Sequence, residues 1–234
     1  MLARLRDSVQ CEWFKNPDRE WLAEAWQTLE RQSDTNFFLS WLWIGTWLDS
    51  FVTDFNVLEA RRDGETVGLG IIVSVSPSFN SGSLRCRHYL HRTGVGEEDQ
   101  IWIEYNDFLV STEGNESIRR AMFSYISNKM GKTDAFIVGA CRPEIFSSVD
   151  ELGMSERKIW ETNSYFLDLD PFCCGEQSLL HAISRNSRYQ ITRSMRRYSD
   201  IGDITVETAQ TQKKAIDLLE LAGPYHLDRW GDGS

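Results

Sequence analysis

Two segments of opposite charge hold the residues most able to do chemistry. Residues 95–116 carry seven acidic side chains and no lysine or arginine. Within them runs Ile103-Glu104-Tyr105-Asn106-Asp107-Phe108-Leu109. Two carboxylates three residues apart, with a phenol and an amide between them, can steer an amine and accept its proton. The same pattern also suits an acidic loop at the end of a strand. Residues 181–200 hold five arginines, Arg185, Arg188, Arg193, Arg196 and Arg197, against one acid, Asp200. Helical steps of three and four would bring Arg185, Arg188, Arg193 and Arg196 to one side. Guanidinium forks suit phosphate or carboxylate groups, so a coenzyme, a nucleotide or a tRNA backbone is a fitting partner. On this segment alone, a solvated helix face pairing with the acidic loop is the slightly better fit.

Other chemistries lack their residues. There is no G-x-S-x-G elbow, no placed Cys-His pair, no phosphate-binding G-x-x-x-x-G-K-[ST] loop and no H-E-x-x-H helix. The five cysteines, Cys11, Cys86, Cys141, Cys173 and Cys174, are odd in number. None has the C-x-x-C spacing or a nearby histidine that a metal site needs, so the expectation is reduced structural thiols and no metal. The 234 residues carry 35 acidic against 25 basic side chains, a net charge of −10, which argues against a sequence-independent grip on DNA. No run reaches a bilayer-spanning length. The best stretch, residues 37–51, is broken by Ser40, Gly45, Thr46, Asp49 and Ser50. With no secretory h-region at the N-terminus, a cytoplasmic protein is expected.

The elements that must position these groups read as a mixed α/β chain. Trp21, Leu22, Ala25, Trp26 and Leu29 recur at helical spacing, and a second helix is expected over 37–51. Five of the nine tryptophans lie between Trp21 and Trp47, as core beneath a sheet or, less simply, as the wall of a cleft. Two β-type runs flank Asp63-Gly64, the strongest short hairpin signal a sequence offers. Further strands are expected over 84–90, 101–109, 134–140, 159–169 and 203–208. Helices are expected over 116–130, after Pro143, over 177–198 and over 212–221. A break near Asp170-Pro171 divides the chain into residues 1–169 and 170–234.

In order along the chain, Asp63-Gly64-Glu65-Thr66-Val67-Gly68, residues 101–109, the Ser184–Arg197 helix and His226-Leu227-Asp228-Arg229-Trp230 resemble the CelD/BcsL-like branch of GNAT acetyltransferases. That branch is related to the Fem-type peptidoglycan aminoacyltransferases. The likeness runs from about Phe37 to Trp230. It implies a GNAT-like mixed sheet flanked by helices in residues 1–169, a linking basic helix, and the beginning of a second GNAT-like domain in 170–234. It further implies a chain cut short at its C-terminus. The implied reaction is acyl transfer from acetyl-CoA or another acyl-CoA to an amine on a small molecule, glycan or peptide, in cell-envelope or polysaccharide metabolism. Two alternatives stay open: a non-catalytic binding or scaffold domain, and an aminoacyl-tRNA-dependent transferase. The implied catalytic residues are Glu104 and Asp107. Tyr105, Asn106, Arg188, Arg193, Arg196, His226 and Arg229 are the implied substrate or cofactor contacts. His91-Arg92-Thr93-Gly94-Val95-Gly96 approaches the Q/R-x-x-G-x-G/A acyl-CoA loop, but it starts on histidine and precedes strand-like residues. It is not expected to hold a pyrophosphate.

Overall fold

The computed structural model describes residues 8–76, 85–101, 103–147, 149–175 and 178–231. They form two compact units, Met1–Glu161 and Thr162–Ser234.

The first unit is the mixed sheet flanked by helices that the pattern implied. Its elements are β1 (Gln10–Lys15), α1 (Arg19–Glu30), α2 (Trp41–Phe51), β2 (Asn56–Arg62), β3 (Glu65–Val75), β4 (Arg87–Leu90), β5 (Leu109–Val110), α3 (Asn115–Lys129) and β6 (Ala135–Val138). The sheet order is β1-β2-β3-β4-β6, with β5 pairing β3 beside β4. Every pairing is antiparallel except β4 with β6, which run parallel from Arg87↔Ala135 to Leu90↔Val138. The β2–β3 hairpin turns on Asp63 (φ 52°) and Gly64 (φ 86°). Left-handed backbone at both central residues matches the twist of the flanking strands.

Period-2 alternation in β2 and β3 feeds two cores, one on each face. Val57, Leu69 and Ile71 pack with Leu22, Trp26 and Leu29 of α1 and with Ile44, Trp47 and Leu48 of α2. Leu58, Ala60 and Ile72 pack with Phe108 and with Ile118, Met122, Phe123 and Ile126 of α3. Asp18 caps α1 by accepting from the Trp21 N–H at 2.8 Å, and Ser40 caps α2 by accepting from the Trp43 N–H. The tryptophan cluster is mostly core: Trp26 is fully buried, stacks at an angle on Trp41 and donates its indole N–H to the Leu39 carbonyl at 2.8 Å. Gly70 of β3 admits the Phe108 ring, because a Cβ there would lie 2.6 Å from it.

Three strand expectations fail, each for a physical reason. Of the described residues in 101–109 only Leu109 enters a strand, because β4 already holds β3 over Ile72–Val75 and leaves β5 only Gly68 and Leu69. Residues 159–169 and 203–208 form no strand. Their apolar side chains are exposed and no neighbouring edge supplies a ladder. Leu84, placed in the strand expected over 84–90, lies outside the described residues. Strand β1 gives little sequence signal because its alternation spans only six half-covered residues.

The second unit is helical: α4 (Asp170–Cys173), α5 (Leu179–Ala182), α6 (Arg185–Ser199) and α7 (Gln212–Trp230). None of these helices contains a buried residue. Ser184 caps α6 and Thr211 caps α7 through their hydroxyls. Helix α7 continues past residue 221 and through Pro224.

Candidate active site at the ends of the parallel strands

In open α/β sheets, ligands settle at the carboxyl ends of parallel strands. The only parallel pair among the described residues ends at Leu90 and Val138. Left-handed backbone concentrates there. Of five non-glycine residues with positive φ among the described residues, three are His91 (50°), Tyr105 (53°) and Ala140 (47°). The Asn106 N–H donates to the Ala140 carbonyl at 3.2 Å, which ties the loop after β4 to the end of β6. Such conformations cost of order 1–3 kcal/mol each and collect at functional sites.

A buried polar pair anchors the loop. His91 is fully buried; its backbone N–H donates to the Ile71 carbonyl, and its Nδ1 lies 2.9 Å from Asn106 Oδ1. The Asn106 amide donates to the Leu90 carbonyl at 2.9 Å. That bond leaves Oδ1 as acceptor and places the histidine proton on Nδ1. Nε2 has no partner among the described residues, and the ring meets Trp26 edge-on at 5.6 Å. Burial pushes the His91 pKa down to about 4, against the smaller opposing pull of Asn106. The imidazole is therefore neutral at pH 7.

Asp107 is engaged elsewhere. Its carboxylate takes a forked pair from Arg119, with Nε at 2.8 and 3.0 Å and a terminal nitrogen at 2.7 Å, and accepts the Phe108 N–H at 2.7 Å. Burial pushes this carboxyl above its ordinary value while Arg119 pulls the other way. Asp107 thus fastens the loop to α3. Glu104 differs: it is exposed and makes no hydrogen bond or ion pair among the described residues. Tyr105 is half-buried, accepts through its carbonyl from Asn36 at 3.3 Å, and carries the Arg142 guanidinium 5.2 Å over its ring.

The glycine-rich loop is built for its own carboxylate. Asp99, nearly buried, accepts from the Thr93 N–H and hydroxyl and from the Gly94 N–H, and pairs with Arg92 at 3.1 Å. The donors that a phosphate would need are already satisfied.

The other expected contacts lie in the second unit, on two separate helices. Arg188 turns back onto the carbonyls of Leu180, His181 and Ile183 at 2.6–3.5 Å and caps the short α5. Arg193 and Arg196 have no partner among the described residues; with Arg185 and Arg197 they occupy an arc of about 120° on α6. His226 and Arg229 are exposed on α7, and Arg229 lies over the Trp230 ring at 5.1 Å. Sequence reasoning misses Asp99, Arg119 and Arg142, and meets His91 and Arg92 only in the glycine loop that it sets aside as a pyrophosphate site.

A groove of about 450 Å³ lies between α1 and the start of β3, lined by Trp21, Glu24, Thr28, Gln32, Glu65 and Thr66. The Thr66 hydroxyl donates to the buried carboxylate of Glu59. Among the described residues no three His, Cys, Asp or Glu side chains gather as a metal site, and no helix is long and apolar enough to cross a membrane.

No protein family and no curated protein matches the chain by sequence. Among solved structures it is similar to the ribosomal-protein-alanine N-acetyltransferase of Brucella melitensis biovar Abortus 2308. The two share 15% identity over 69% of this chain and 100% of that one, with a TM-score of 0.39. It is also similar to the glucosamine-6-phosphate N-acetyltransferase of Arabidopsis thaliana, at 9% identity over 68% of this chain and 100% of that one, with a TM-score of 0.36. A third is the aminoglycoside N-acetyltransferase AAC(6')-Iy in complex with CoA, at 14% identity over 67% of this chain and 96% of that one, with a TM-score of 0.36.

Proposed function

We propose that this chain is an acyltransferase of the GNAT kind, CelD/BcsL-like, moving an acetyl or other acyl group from acyl-CoA to an amine acceptor in cell-envelope or polysaccharide metabolism. The observation that carries the reading is the meeting of His91, Tyr105 and Ala140, all in left-handed backbone, at the carboxyl ends of the parallel pair. Backbone strain collected at the ends of parallel strands supports a functional site there. Glu104 is the one carboxylate of the 103–109 segment left free to take the amine proton, directly or through a water. Asp107 acts behind it by holding the loop on Arg119. Asn106 and His91 set the backbone around Tyr105, and Arg142 over the tyrosine ring supplies positive charge for an acyl donor or a developing oxyanion.

Calorimetric titration of acetyl-CoA and of free CoA into the 234-residue chain tests the donor. Binding that Glu104→Gln leaves intact, with a transfer rate about 100-fold lower in that variant, is the expected pair of results. Absence of binding by either ligand ends the acyl-CoA reading.

One observation favours a second reading, an aminoacyl-tRNA donor: the unpaired arginines of α6 suit a phosphate backbone. Charged tRNA bound through several of them would weaken steeply between 50 and 200 mM salt. Binding that ignores salt, or none at all, sets that donor aside.

A further inference from the structure

At the opposite end of the parallel pair lies a second set of groups that the transfer reading does not use. Ser74 of β3 and His88 of β4 are direct cross-strand partners. Ser74 Oγ lies 2.8 Å from His88 Nδ1, and His88 Nε2 lies 3.9 Å from Asp134 Oδ2. Asp134 is held still by two backbone donors, the Gly131 N–H at 2.7 Å and the Cys86 N–H at 3.1 Å. A fixed carboxylate beside Nε2 favours the tautomer with its proton there, which leaves the Nδ1 lone pair to accept from the serine hydroxyl. Burial holds the His88 pKa below its ordinary value against the opposing pull of Asp134, so the ring is a neutral base at pH 7. Ser74 itself is exposed, and the Trp13 ring meets the His88 ring edge-on at 6.5 Å.

We propose that Ser74, His88 and Asp134 form a nucleophilic relay in which the Ser74 hydroxyl accepts an acyl group from an activated ester or thioester. Nucleophile, base and orienting carboxylate stand in the order that serine acylation requires. Ser74 Oγ bonds to the acyl carbon as the bond from that carbon to the leaving oxygen or sulfur breaks. The hydroxyl proton passes to His88 Nδ1 and then to the departing phenolate or thiolate. The product is an O-acyl serine, which water hydrolyses by the same relay. No metal, oxidant or bound CoA is needed, so the relay stands or falls separately from the transfer site.

The experiment uses the full chain and p-nitrophenyl acetate, following nitrophenolate release and locating the acetyl group by peptide mass. The expected result is a burst approaching one nitrophenolate per chain, with the acetyl group on Ser74. Ser74→Ala removes that adduct, and His88→Gln slows its formation at least 100-fold while leaving the circular-dichroism spectrum unchanged. Asp134→Asn slows it about 10-fold. Acetylation found only on other residues, or a Ser74 adduct formed equally fast in the His88→Gln protein, overturns the proposal. Acetyl-CoA in place of the ester shows whether a thioester also serves; the ester result alone decides the relay.

Discussion

The acidic loop after β4 and the basic helix α6 look like mirror images in charge, yet they are built in opposite ways. In the loop the more buried polar groups are partnered: Asp99 with Arg92 and two backbone N–H groups, Asp107 with Arg119, Asn106 with His91. Of the α6 arginines only Arg188 has a partner among the described residues, and it serves as a cap for α5. A run of like charge therefore says little about function until its partners are known. The loop uses Asp99 and Asp107 as internal fastening and leaves the carboxylates of Glu97, Glu98 and Glu104 without a partner among the described residues. The helix leaves Arg185, Arg193, Arg196 and Arg197 without a partner among the described residues, on one arc.

The sharpest way to break this contrast is to remove the packing that holds the loop in place. Phe108 fills the space over Gly70 and stacks on Phe136, so Phe108→Ala should cost about 3–5 kcal/mol. Chemical denaturation followed by tryptophan fluorescence reads it. A loss under 1 kcal/mol would mean that the loop is not seated on the sheet.

Next in size comes the pH dependence of the first unit. His91 has a folded-state pKa of about 4 against an ordinary 6.5. Between those values the unfolded chain binds a proton that the folded chain refuses, so stability is full above pH 6.5 and falls as pH drops toward 4. The depression corresponds to roughly 3 kcal/mol across that window. Denaturation midpoints measured from pH 7.5 to 4 should show the decline. In a His91→Gln protein, itself less stable at neutral pH, the decline should be correspondingly shallower. An unchanged slope in that variant would assign the titration to another group.

The smallest effect belongs to α6. Changing Arg193, Arg196 and Arg197 together to alanine should alter stability by no more than about 0.5 kcal/mol, since none has a partner to lose among the described residues. Thermal melts of the triple variant check this. A loss above 1 kcal/mol would show that these arginines carry structural contacts like those of the loop.

Much of the first unit was legible because its signals are local. The Asp63-Gly64 turn demands left-handed backbone, and the periods of α1, α2, α3, β2 and β3 each repeat often enough to be read. Residues 101–109 and 159–169 mislead for one reason: an apolar run is compatible with a strand, but only a free neighbouring edge makes it one. The candidate site divides along the same line. Glu104, Tyr105, Asn106 and Asp107 stand out through type and spacing. That Asp107 and Asn106 fasten the loop while Glu104 stays free depends on Arg119 and His91, 12 and 15 residues away.

The sequence by itself determined the class of fold, the hairpin, the helical faces and the two blocks of charge, because periodicity and turn chemistry act over a few residues. Tertiary structure alone decided which charges are paired, where the left-handed residues meet, and that Ser74, His88 and Asp134 lie side by side. Pairing of that kind depends on which strands become neighbours. Strand order is set by the burial of two cores at once, which no short window of sequence contains.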